Sequence, residues 1–201
     1  MYKFNYHSPA SISESLEIFR NSEDPKYLAG GMTLLAAMKQ KMSSPTDLID
    51  LSNISGLKKI ETISNKIFIG SMNTHNEIAK SEDIKNKLPG FAYLAKNIAD
   101  NAVRNRGTIG GSICNADPAA DYPAALLCLS GEIVTNERKI TSTDFFVDMF
   151  ETKLKEEEMV VGVELQISEI SKYYKFSSLA SKYAIVGLFV AVKNDLVKFS
   201  V

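Results

Sequence analysis

Tryptophan is absent from this 201-residue chain, and cysteine and histidine occur only twice each. Cys114 and Cys128 are too few to hold an iron–sulfur cluster, which normally takes about four thiolates. His7 and His75 stand far apart, with no Cys/His spacing around them to suggest zinc. An excess of charge is missing too: 23 Lys and Arg face 24 Asp and Glu, which argues against a dedicated nucleic-acid binder. No apolar run reaches the ~18 residues expected of a membrane span. The opening stretch MYKFNYHSPASISESLEIF lacks the basic region and apolar core of a signal peptide. These absences point to a cytoplasmic protein with neither nucleic acid nor membrane as partner. Any redox chemistry must use an organic cofactor, and any metal centre belongs to another chain.

What is present is an ordinary globular composition, 45% hydrophobic and 23% charged, long enough for one large domain or two small ones. Ser11 and Glu14 make a capping-box pattern ahead of a helix whose apolar face holds Ile12, Leu16 and Phe19. KYLAGGMTLLAAMKQKM reads as strand, glycine turn and helix, and TDLIDL as a second strand, giving a βαβ unit. LKKIETISNKIFIG reads as a hairpin turning at Ser64-Asn65. Thr74 and Glu77 cap a short helix, Phe91 to Ile98 is helical, and Pro123 opens another helix in its first turn. MVVGVEL is a buried-strand candidate, and AIVGLFVAVKNDLVKFSV reads as a terminal hairpin turning at Asn194-Asp195. A lone terminal hairpin is marginal, which suggests a longer C-terminal region.

Two glycine pairs carry the chemistry. In LAGGMTLL a strand runs into Gly30-Gly31 and a helix starts near Thr33. That geometry aims backbone N–H groups, with the helix dipole, at an anion beyond the helix start. Glycine leaves the main chain bare for a diphosphate, and the Thr33 hydroxyl adds a donor. TIGGS repeats the pattern, with Thr108 and Ser112 flanking Gly110-Gly111, so that two loops converge on one pyrophosphate. Asp121, ten residues on, suits the vicinal hydroxyls of a ribose or ribityl chain. Neither G-x-G-x-x-G nor the P-loop lysine pattern occurs. A single Gly-Gly is more often a tight turn than a ligand loop, and spacing alone leaves the two readings about even. His75 reads as structural or exposed, Cys114 as a small buried thiol, Arg104 and Arg106 as phosphate partners or surface charges, and Glu156 to Glu158 as a solvated loop.

YLAGGMTLLAAMKQK, VRNRGTIGGSICNADPAADYPAALLCL and FFVDMFETKLKEEEMVVGVEL together resemble the FAD-binding subunit of the molybdenum hydroxylases. Carbon monoxide dehydrogenase and xanthine dehydrogenase belong to that group. The resemblance implies an α+β architecture, the FAD-binding fold of the p-cresol methylhydroxylase/vanillyl-alcohol oxidase type. Two α/β subdomains would span about 1–55 and 56–170, with residues 171–201 beginning a C-terminal domain. It implies that Ala29, Gly30, Gly31, Met32 and Thr33, with Thr108, Ile109, Gly110, Gly111 and Ser112, hold the FAD pyrophosphate. Asp121 would contact the flavin, Leu28 and Leu34 would line it, Ile98 would pack on the ring and Tyr183 would lie beside it. Relatives carry basic residues where this chain has Ser178 and Leu179, and an aspartate where it has Lys182. The implied partners are a molybdenum–pterin large subunit and a small subunit with [2Fe–2S] clusters. Electrons would leave to NAD, a quinone or oxygen. A stand-alone FAD-dependent reductase on the same fold, and a scaffold with a decayed flavin site, are the alternatives. No catalytic acid, base or nucleophile is nominated.

Overall fold

In the computed structural model, which describes residues 1–201, three main β-sheets follow one another along the chain. The first is parallel: Asp47–Asp50 lies between Asn5–His7 and Pro25–Leu28. Parallel neighbours need helical crossovers, here Ile12–Arg20 and Leu34–Lys39. The middle strand is buried, and its Asp47 carboxylate accepts hydrogen bonds from Asn5 (3.1 Å) and the His7 ring (2.7 Å). Ser11 caps the first crossover helix as expected. Glu14, however, reaches back to the Ala10 N–H rather than that of Ser11 (2.8 Å).

The second sheet is antiparallel, in the order Ile60–Ile63, Lys66–Gly70, Val160–Gln166, Glu132–Thr135, Lys139–Thr141. MVVGVEL is therefore its central strand. Between its second and third strands in sequence sit the helices His75–Lys80, Glu82–Lys87, Pro89–Lys96, Asn101–Arg104, Ile109–Asn115 and Tyr122–Cys128. They bury Phe91, Leu94, Ile113 and Leu126 against Ile67, Ile69, Ile133 and Val163 in the larger core. A smaller core of Ile49, Leu51, Ile54, Leu57, Met72 and Met159 joins the first sheet to the second.

The C-terminal hairpin is not alone. Ile170–Ser177 pairs with Ala184–Lys193, which pairs with Leu196–Ser200, making a third sheet. Tyr173 and Phe189 turn inward to the larger core, while Ile170, Tyr174, Phe176, Val197 and Phe199 are exposed on the sheet.

Candidate functional site

A cleft of about 970 Å³ runs between the first sheet and the helical layer, at the large end of the range usual for ligand sites. Both glycine segments reach it, by different routes. The first leaves the strand Pro25–Leu28, and Gly31 takes φ +74°, a conformation that glycine adopts at no steric cost. Thr33 then starts the helix Leu34–Lys39 without a side-chain cap, so its hydroxyl is free. The N–H groups of Gly30, Gly31, Met32 and Thr33 donate to no acceptor within the protein. All four residues lie on the cleft wall.

The second segment is the start of a helix, Ile109–Asn115, rather than an open loop. Thr108 caps it by accepting the Gly111 N–H at 3.1 Å. Its other leading amides are also engaged: Ile109 donates to the Asn73 carbonyl, Gly110 to that of Ser71 and Ser112 to that of Thr108. The two segments are thus unequal. The first offers a row of four amides to a ligand, while the second is a buttress whose free donors on the cleft are the Thr108 N–H and the Ser112 hydroxyl.

Close approach explains two of the glycines better than room for a diphosphate does. A Cβ on Gly30 would lie 2.2 Å from the Arg106 carbonyl oxygen, and one on Gly110 would lie 2.6 Å from the Ser71 Cβ. Of the four glycines, Gly111 has the loosest surroundings: a Cβ there would lie 3.1 Å from the Thr108 hydroxyl oxygen and 3.5 Å from the Ala29 Cβ. Ile109 is a correction of another kind. Its side chain is fully buried in the larger core and does not line the cleft.

Leu28, Ala29, Leu34, Ile98, Thr108, Asp121 and Tyr183 also line the cleft. Ile98 lies two residues beyond the helix Pro89–Lys96 and packs on the larger core. Arg104 secures that turn by donating to the carbonyls of Ile98 (2.7 Å) and Ala99 (2.8 Å), rather than reaching for a phosphate. Asp121 is not free to serve a polyol alone. Its carboxylate accepts the Tyr173 hydroxyl at 2.6 Å and the Lys175 ammonium at 2.8 Å, and Asp121 and Lys175 are both buried. Tyr173 and Lys175 come from the third sheet, so that sheet holds one wall residue of the cleft in place.

Two other expectations change. Cys114 is exposed rather than a small buried thiol, and lines the cleft. Glu158 is no solvated loop residue: its buried carboxylate takes a two-pronged grip from Arg138 (2.8 and 2.9 Å) and accepts from Thr135 (2.7 Å). Those partners hold its pKa down at about 2, with Arg138 the largest cause. Sequence spacing gave no sign of this, since Arg138 lies 20 residues away.

His75 is buried, hydrogen-bonded through Nδ1 to the Tyr122 hydroxyl at 3.0 Å. Burial, aided by the nearby Arg104 charge, lowers its pKa from 6.5 to about 4. The unfolded chain therefore binds a proton near pH 6.5 that the folded chain refuses until about pH 4. This contribution to stability is complete above the upper value. It is lost as pH falls through the window, by up to about 3 kcal/mol. Urea unfolding at both ends of that window should show the loss in the wild type and a smaller one in His75→Gln. Equal losses in the two proteins would remove His75 as the cause.

The residues present fit a dinucleotide flavin: a large cleft, four unengaged amides, and unengaged hydroxyls on Thr33 and Ser112. Residues 2–165 match the family model described as the FAD binding domain in molybdopterin dehydrogenase. The nicotine 6-hydroxylase medium subunit of Paenarthrobacter nicotinovorans is 36% identical over 162 residues, covering 79% of this chain and 57% of that protein. The glyceraldehyde dehydrogenase medium chain of Sulfolobus acidocaldarius is 31% identical over 197 residues, covering 95% of this chain and 70% of that one. Among solved structures, carbon monoxide dehydrogenase from Hydrogenophaga pseudoflava superposes with a TM-score of 0.92 at 30% identity. The match covers 99% of this chain and 75% of that one. No helix here is long and apolar enough to cross a membrane. The chain belongs to the family of FAD-binding domains of the molybdopterin dehydrogenases, and its cofactor is FAD.

Proposed function

We propose that this chain is the flavin-carrying electron-transfer component of a molybdenum hydroxylase. In this reading a large molybdenum–pterin subunit oxidises the substrate, and a small subunit with [2Fe–2S] clusters relays electrons to this chain. NAD, a quinone or oxygen receives them. The observation that carries the reading is the row of four unpaired amides, Gly30 to Thr33, on the wall of a cleft of about 970 Å³. Support for the partners comes from the relatives, which are named as medium chains or subunits of larger enzymes.

FAD, when bound, supplies the redox chemistry, and the protein's share is to bind and orient it. Amides from Gly30 to Thr33 and the hydroxyls of Thr33 and Ser112 would hold the diphosphate. Gly110 and Gly111 would bring the second segment close to it. Leu28, Leu34, Ile98 and Tyr183 would give the ring apolar walls, and Asp121 would meet its polar side. The same reading divides the chain near residues 55 and 170. The grouping of strands supports this: the first sheet ends at Asp50, the second lies within 60–166 and the third starts at Ile170.

The test is anaerobic absorbance of the flavin with and without the two partner subunits. The purified chain should release FAD rather than FMN on denaturation. Substrate should bleach the flavin only when both partners are added. Release of FMN alone would overturn the cofactor site. Turnover by the lone chain would replace the subunit reading with a stand-alone reductase.

A further inference from the structure

We infer that the Ser71 hydroxyl is a further cofactor-binding group, donating to a diphosphate oxygen of FAD; the inference rests on the function proposed above. Ser71 directly follows the strand Lys66–Gly70, lines the cleft and is only 4% exposed. Its backbone is fully committed. The N–H donates to the Val161 carbonyl and the carbonyl accepts the Gly110 N–H, both at 2.8 Å. The side-chain oxygen has neither solvent nor a hydrogen-bond partner within the protein.

An unpaired buried hydroxyl is unfavourable, and native proteins keep few of them. One other occurs here, on Ser168, in a separate smaller pocket away from the cleft. Ser71 differs in its position beneath the buttress. A Cβ on Gly110 would lie 2.6 Å from the Ser71 Cβ, and one on Gly111 would lie 3.5 Å from the Ala29 Cβ of the first segment. Ser71 therefore packs against Gly110, next to the point where Gly111 approaches the first segment. On the buttress side the leading amides are spent on Asn73, Ser71 and Thr108. The donors left to a ligand on that side are the Thr108 N–H and hydroxyls, of which Ser71 and Ser112 carry unengaged ones. A phosphate oxygen accepts an O–H readily, and a charged acceptor strengthens the bond.

Ser71→Ala gives a test with two signs. Binding would be followed by fluorescence titration with FAD and riboflavin and by calorimetry with ADP, and stability by ligand-free melting. Loss of the hydroxyl should raise the Kd for FAD and for ADP about tenfold, the factor equivalent to 1.4 kcal/mol, and leave riboflavin unchanged. The ligand-free variant should melt at the same temperature as the wild type or higher, because an unpaired polar group has gone. Unchanged FAD and ADP affinity would overturn the inference. So would a lower ligand-free melting temperature, which would mean that the hydroxyl already has a partner. If the wild type takes up neither FAD nor ADP, the proposed function fails first and this inference falls with it.

Discussion

Gly30→Ala should yield a protein that has lost its flavin and melts roughly 6–12 °C lower. The added Cβ would lie 2.2 Å from the Arg106 carbonyl oxygen and 2.8 Å from the Gly107 Cα. Both obstacles are main chain, so no rotamer change relieves the clash, and the two segments must separate. Overpacking of this kind costs about 3 kcal/mol, and a domain of this size loses roughly 2–4 °C per kcal/mol. Separation would also displace the free amides of Gly30 to Thr33 from one another. Gly31→Ala should be milder, since its Cβ meets the Leu35 side chain at 2.7 Å, although its φ of +74° adds strain. Gly111→Ala should be mildest, with nothing nearer than the Thr108 hydroxyl oxygen at 3.1 Å. Flavin occupancy after purification and melting temperature together check the order. If Gly111→Ala lost flavin while Gly30→Ala kept it, the diphosphate would need the second segment's bare backbone, as the sequence first suggests.

The second large effect is expected at Lys175. Its ammonium and the Asp121 carboxylate are 4% and 6% exposed, so neither charge can turn to water. Taking both charges out of water costs nearly as much as their attraction returns, so the intact pair adds little. Removing one partner is different. Lys175→Met leaves a buried carboxylate with the Tyr173 hydroxyl as its remaining hydrogen-bond partner. That should cost about 3–5 kcal/mol in denaturant unfolding. The double variant Lys175→Met/Asp121→Asn removes the uncompensated charge and should recover most of the loss. A single variant within about 1 kcal/mol of the wild type would show that water reaches Asp121.

Much of the local structure was legible in the sequence. Thr74 and Glu77 form the full capping box that their spacing implies. Ser64 (φ 54°), Asn194 (φ 49°) and Asp195 (φ 59°) all take left-handed conformations at the two expected hairpin turns. These features depend on neighbours in sequence, so short windows are enough to reveal them. The strand Ile170–Ser177 escaped because Tyr173 is the one apolar residue on its inward face. Ser171 and Lys175 turn inward while Ile170, Tyr174 and Phe176 are exposed. An alternation rule expects the apolar residues inside.

The sequence by itself located the two glycine segments, which are carried by order and spacing along the chain, and its resemblance to a known family implied the cofactor. Tertiary structure decided which segment offers free amides and which is a buttress. It also made Gly30 and Gly110 points of close contact, tied Asp121 to Lys175 54 residues away, and left Ser71 unpaired. Each of those outcomes depends on where a distant backbone carbonyl or side chain ends up. A hydrogen bond or a steric contact acts over about 3 Å of space, whatever the separation along the chain.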